Sequence, residues 1–171
     1  MITRRWAGGV ALALLAGCGK SDFAEARKQV ERYNAHVAEA YRRGDVRLID
    51  PVVGDTEGKK ITGLIGVRSD FGLTLDSTLL ALDITGVERE SDRMEVRTRE
   101  RWSYRDLRIG SGEQVGEAST DEYAMVYFFV RTNQNWVVDE LRFTSEPQIG
   151  RKTPTWLGSN SPTRIQGHGA P

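Results

Sequence analysis

The sequence predicts an α+β domain in which amphipathic N-terminal helices pack on a curved, mainly antiparallel four-stranded sheet. Three observations predict it. Apolar residues recur at helical spacing early in the chain, period-two alternation takes over from Leu79, and short polar pairs stand where hairpin turns belong. With helices first and a meander after, the sheet can close over an amphipathic helix, each supplying the apolar face the other lacks.

Phe23, Ala26, Val30, Tyr33, Val37 and Tyr41 are spaced by threes and fours, which puts them in one stripe of a helix over residues 21 to 43. Gly44 suits the left-handed position that ends a helix, and Asp45 can cap a second segment over 46 to 53, broken at Pro51. A third helix is expected over 56 to 69, although Gly58, Gly63 and Gly66 each cost about 1 kcal/mol against Ala. Strands follow over 79 to 90, 93 to 105, 121 to 132 and 135 to 143. Tight turns fall at Ser91-Asp92 and Asn133-Gln134, with a long glycine-containing connection between the middle pair.

The second strand alternates almost completely. Met94, Val96, Thr98, Glu100, Trp102 and Tyr104 share one face, expected to look inward; Glu95, Arg97, Arg99, Arg101, Ser103 and Arg105 share the other. Glu100 is then a carboxylate among aromatics, where desolvation raises a pKa and suits a general acid or base. Two registers are open. A plain two-residue loop sets Asp83 opposite Glu100, an enzyme-like carboxylate pair about 5 Å apart. A longer loop, or a bulge at Gly86, brings Leu80, Leu82 and Ile84 inside with Trp102 and Tyr104 and turns Asp83 toward Arg101. Burial of apolar on apolar favours the second, with Glu100 a hydrogen-bonded core or rim carboxylate.

On the last hairpin a two-residue turn groups Ala124, Val126, Phe128 and Val130 with Val137, Leu141 and Phe143 as the expected core face. The reverse face carries Tyr123, Met125, Tyr127, Phe129, Trp136 and Val138 with Arg131, Glu140 and Arg142, and Arg131 opposes Trp136 at cation-π range. Such a face suits a ligand pocket, a partner interface or a dimer interface. Candidate pocket or interface residues are therefore Glu100, Trp102, Tyr104, Tyr123, Tyr127 and Trp136.

Other chemistry is poorly supplied. Two histidines, His36 and His168, cannot build a zinc cluster or a metalloprotease helix, and no nucleophile-elbow pattern occurs. Gly110-Ser-Gly112-Glu-Gln-Val-Gly116 lacks phosphate-loop spacing and a following helix. The arginines at 97, 99, 101 and 105 read as a solvated outer face balanced by carboxylates. No cofactor, metal or nucleic acid is expected.

Ahead of the domain, Arg4 and Arg5 precede an uncharged stretch from Trp6 to Gly17 that ends in Leu15-Ala16-Gly17-Cys18. It is shorter than the roughly 20 residues a spanning helix needs. The stretch resembles a bacterial lipoprotein signal peptide, matching the lipobox at all four positions. That resemblance implies cleavage of residues 1 to 17, a diacylglyceryl group on Cys18 and attachment to a membrane of the cell envelope. Gly19 after the cysteine implies the outer membrane, facing the periplasm, in a Gram-negative source. Removal of Arg4 and Arg5 from the 24 basic residues leaves 22 against 24 acidic ones; no basic field attracts nucleic acid. Four of the five prolines and four glycines lie in the last 28 residues, so 144 to 171 is expected to be a disordered tail, with Trp156-Leu157 its one apolar spot.

The order of helices and strands, with Glu100-Arg-Trp102-Ser-Tyr104, Tyr123-Ala-Met-Val-Tyr127 and Asn135-Trp136-Val-Val138-Asp139, resembles the nuclear transport factor 2-like superfamily over residues 21 to 143. The closest look is to the IMS-type domain of cyanobacterial and plastid division proteins. The superfamily includes isomerases and dehydratases beside noncatalytic binding domains, so the resemblance does not settle function. The expectation is a membrane-anchored envelope lipoprotein whose domain, residues 18 to 143, binds an envelope partner or an apolar small molecule without catalysis. Two alternatives stand beside it. One is a small hydrolyase or isomerase working through Glu100; the other is a structural domain that dimerises through the Tyr123 to Phe129 face.

Overall fold

The computed structural model describes residues 19 to 144; Cys18, the leader and the expected tail from 145 onward lie outside them. Helix α1 spans Lys20–Arg43 and ends where Gly44 turns left-handed (φ 64°), its N–H donating to the Ala40 carbonyl. Asp45 caps the next segment, accepting from the Arg47 N–H, but that segment is a single 3-10 turn over Val46–Ile49 rather than a helix reaching residue 53. Pro51 cannot donate to a helical bond. The chain beyond it instead joins the sheet: Val138 N–H donates to Val52 O at 2.9 Å and Gly54 N–H to Val138 O at 2.8 Å.

Helix α2 spans Asp55–Asp70, with Gly54 as its N-cap. Glycine is needed there because a Cβ would stand 2.9 Å from Asp139 Oδ1 and 3.3 Å from Asp139 Cα. Four antiparallel strands follow in meander order: β1 (Leu73–Arg89), β2 (Arg93–Arg108), β3 (Gln114–Thr132) and β4 (Asn135–Phe143). β1 starts six residues before the expected point. The expected long connection of the middle pair is mostly strand, leaving a short loop where Gly110 (φ 89°) and Gly112 (φ 69°) take left-handed turns.

Bulges settle the register. Leu80 and Thr85 are the extra residues of β1, so Leu82 sits opposite Glu100 and Asp83 opposite Arg99. The carboxylate pair does not form, and Asp83 does not face Arg101 as the favoured reading had it. The two bulges keep Leu75, Leu79, Leu82, Ile84 and Val87 on one side despite irregular spacing, while Leu80 is left 47% exposed.

The inward face of β2 is as expected, with Met94, Val96, Thr98, Glu100 and Trp102 all buried. Over Met125 to Val138 the inward face of the last hairpin is the one expected outside, although Val126 is also buried. Met125, Tyr127, Phe129, Trp136 and Val138 are buried against α1, α2 and the 3-10 turn, while Phe128 lies outside under Arg142, whose guanidinium is 4.6 Å from its ring. Pairing with β2 decides this: Met94, Val96 and Thr98 stand opposite Phe129, Tyr127 and Met125, and facing residues share a side. A bulge at Asp139 then swings Leu141 and Phe143 to the concave side, opposite Tyr127 and Met125. The Tyr123 to Phe129 face is thus largely interior, with Met125, Tyr127 and Phe129 buried.

Candidate functional site

Between α1, α2 and the concave face of the sheet lies a cavity of about 350 Å³, within the size range of small-molecule sites. Helix α1 contributes Tyr33, Asn34, Val37, Ala38 and Tyr41; α2 contributes Glu57, Lys60, Ile61, Leu64 and Arg68. The sheet supplies Leu75 and Ser77 from β1, Trp102 and Tyr104 from β2, Tyr123, Met125 and Tyr127 from β3, and Leu141 and Phe143 from β4. Leu64 and Phe143 are 57% and 58% exposed and form an apolar lip.

The aromatic side chains form a connected wall. Trp102 stacks on Tyr104 at 6.2 Å between centroids, Tyr104 meets Tyr123 edge-on at 6.4 Å, and Tyr123 meets Phe143 at 5.4 Å. Deeper in, Tyr33 and Tyr127 meet edge-to-face at 5.6 Å. These geometries suit aromatic quadrupoles and fix the rings.

Glu100 lies behind this wall, not in it. Its Oε1 accepts from Tyr127 OH at 2.7 Å and Thr98 Oγ1 at 3.0 Å; its Oε2 accepts from Trp102 Nε1 at 2.8 Å and Asn34 Nδ2 at 3.1 Å. Four donors occupy the about four lone-pair positions a carboxylate offers. Burial pushes the Glu100 carboxyl above the ordinary glutamate range, the four hydrogen bonds working against that shift. The same burial, with Glu100 alongside, pushes the Tyr127 hydroxyl well up.

Of the other sequence candidates, Trp102, Tyr104, Tyr123 and Tyr127 line the cavity. Trp136 does not: it is buried in the core, with the Arg89 and Arg131 guanidiniums each 5.5 Å from its ring, the Arg131 contact as expected from register. His36 sits at the rim of the core, its Nδ1 2.8 Å from the Leu48 carbonyl.

Sequence reasoning missed Glu57, which is buried beside the cavity. It accepts from Tyr33 OH at 3.2 Å, Lys60 Nζ at 3.1 Å and Leu141 N–H at 3.1 Å. Desolvation, followed by Glu57, pushes the Tyr33 hydroxyl well up. Burial also lifts Tyr41, to about 12, so it stays a neutral donor. A signal did exist, since Glu57, Lys60, Ile61, Leu64 and Arg68 fall on one helical face. Three glycines in the same helix diluted it. Among the described residues no group of three or more His, Cys, Asp or Glu side chains could hold a metal ion.

An α+β meander curved around a long N-terminal helix, with a cavity inside the curve, is the nuclear transport factor 2-like fold. Among solved structures, the chain is similar to the intermembrane space region of the chloroplast protein ARC6, with a TM-score of 0.63 and 16% identity over 72% of this chain and 96% of that one. It is also similar to a nuclear transport factor 2-like superfamily protein from Salmonella enterica serovar Typhimurium LT2, with a TM-score of 0.52 and 9% identity over 76% and 99%. No protein-family model and no curated protein matches the sequence. At such identities the likeness defines the fold.

Proposed function

We propose that this protein is a lipid-anchored component of a bacterial cell envelope whose domain binds an apolar small molecule without converting it. One observation carries the binding reading: an aromatic-walled cavity beside which the buried carboxylates Glu100 and Glu57 are already engaged. Glu100 accepts four hydrogen bonds and Glu57 three, so neither oxygen pair is poised to take a proton from a substrate. A hydrolyase or isomerase working through Glu100 would need that carboxylate to face the cavity. The membrane part rests on the Leu15-Ala16-Gly17-Cys18 sequence; two buried acyl chains hold a protein firmly where one gives only marginal attachment.

Mass spectrometry of organic extracts from the natively purified protein tests the binding role. An apolar compound should accompany the wild type and be depleted in Ala38→Trp, which fills the cavity from α1, with circular dichroism confirming that the variant folds. Equal extracts from the two folded proteins would overturn the reading. For the anchor, Cys18→Ser should abolish metabolic labelling by fatty acid and release the protein from membranes, and a mutant that keeps its label refutes lipidation at that residue.

A further inference from the structure

The mouth of the cavity carries a cation with donors to spare. Lys60 lines the cavity one turn before Leu64, on the same face of α2. Its Nζ stands 3.1 Å from Glu57 Oε2, the oxygen that also accepts from the Leu141 N–H at 3.1 Å. Lys60 is thereby held across from β4, close to the apolar lip that Leu64 and Phe143 form. Its side chain is 46% exposed, whereas that of Glu57 is 6% exposed. An ammonium has three N–H donors, and Lys60 makes one side-chain hydrogen bond among the described residues, so two remain. The carboxylates around it are taken. Glu57 accepts from Tyr33, Lys60 and the Leu141 N–H, and Glu140, whose charge senses Lys60, accepts from Arg142 at 2.8 and 2.6 Å.

We infer that the cavity takes a singly charged amphipathic carboxylate, its apolar body lying on the aromatic wall and its head group at the mouth, accepting from the remaining N–H groups of Lys60. The inference rests on the binding role proposed above and adds the head group to it. A carboxylate only accepts and an ammonium only donates, so the two match without drawing Lys60 off Glu57. At a half-exposed position the head group keeps water on its open side and escapes most of the desolvation that makes fully buried charges costly. Arg68, the other cation of the lining, is the poorer seat. Its side chain and that of its partner Asp106 are 18% and 20% exposed, so a carboxylate there would lose more water and stand beside a like charge.

Three probes of matched size separate the outcomes: 2-naphthoate, the neutral ketone 2-acetylnaphthalene and the cation 2-naphthylmethylammonium, titrated calorimetrically at pH 7 into the full chain carrying Cys18→Ser. The carboxylate should bind about fivefold more tightly than the ketone, the worth of a partly screened ion pair, and the cation more weakly than either. Raising the salt from about 20 mM to about 500 mM should draw the ratio of carboxylate to ketone toward one. Lys60→Gln, whose amide can still donate to Glu57, should erase that ratio at low salt, with circular dichroism confirming the fold. A ketone or cation that binds as well as the carboxylate at low salt overturns the inference, as does a folded Lys60→Gln protein that keeps the preference; should that variant not fold, a ratio indifferent to salt overturns it on the Lys60 protein. Binding of none of the three overturns the cavity-binding role itself, a result distinct from binding with the wrong preference.

Discussion

Glu100 looks like a catalyst in sequence and behaves as a structural hub in three dimensions. Its Oε2 partners, Trp102 Nε1 and Asn34 Nδ2, can only donate, whereas its Oε1 partners, Thr98 and Tyr127, are hydroxyls able to reverse. In Glu100→Gln the carbonyl can take the Oε2 place and the amide the Oε1 place, with Tyr127 donating instead to Asn34 Oδ1, 3.1 Å away. That variant should keep wild-type stability within about 1 kcal/mol, whereas Glu100→Leu, which strands four donors at about 1 to 3 kcal/mol each, should lose at least about 3 kcal/mol in urea denaturation. The pH dependence has a definite sign. Because the folded-state pKa of Glu100 is raised, its contribution is fully present below the ordinary glutamate value and is lost as pH rises from there through the folded value. Glu100→Gln should flatten that decline in denaturation series begun near pH 4.5, and an unchanged slope would refute the assignment. The burial of Glu100 among aromatics was legible from β2 alternation; its saturation was not, because two of the four donors come from α1 and β3.

At the scale of elements, glycine positions separate close approach from mere tolerance. Gly54 touches β4, where an added Cβ meets Asp139 backbone and side chain. Gly54→Ala should therefore cost about 1 to 3 kcal/mol and loosen α2 from the sheet edge, seen as faster amide exchange at Val138. Gly63 and Gly66 lie on exposed turns of α2, where an added methyl group meets nothing within 4 Å, and Ala at either should add about 0.4 to 1 kcal/mol. A thermal shift of the same sign for Gly54→Ala and Gly63→Ala would contradict this division. The strands illustrate the limit of reading by period. Inward residues of β2 repeat every second position and were readable, whereas those of β1 advance through two bulges and those of β4 through one. Each bulge reverses parity, which moved Leu80 and Asp83 from their expected places; the inward face of the last hairpin was set instead by the pairing of β3 with β2.

For the whole molecule, α1 relates the proposed anchor to the cavity. It begins at Lys20, two residues after Cys18, with its first turn near the end of β1 through the Asp22–Arg89 pair. The lining residues of α1 run from Tyr33 to Tyr41, about 20 to 30 Å along the helix at 1.5 Å per residue. On the anchor proposed at Cys18, so short a link would hold the domain close to a membrane, while the lip formed by Leu64 and Phe143 lies by the part of α1 that lines the cavity, far along the helix from Lys20. The ligand should accordingly enter from the aqueous side. With Cys18 acylated, Leu64→Cys supplies the sole thiol for a spin label; on vesicles that label should respond to a water-soluble nickel relaxant and little to oxygen in the lipid. The opposite response would place the lip in the bilayer.

The sequence by itself determined the order of the elements and the type of all but the 46 to 53 segment, the inward face of β2, the burial of Glu100 and the contact of Arg131 with Trp136. Each depends on local periodicity, turn residues or one short hairpin. Tertiary structure decided which side of β3 and β4 is core, where Asp83 stands, and that a cavity exists. Parity along a strand changes wherever a bulge is inserted, and the cavity is the space left when two helices and four strands meet, with Glu57 placed in it by a helix whose glycines hid its face.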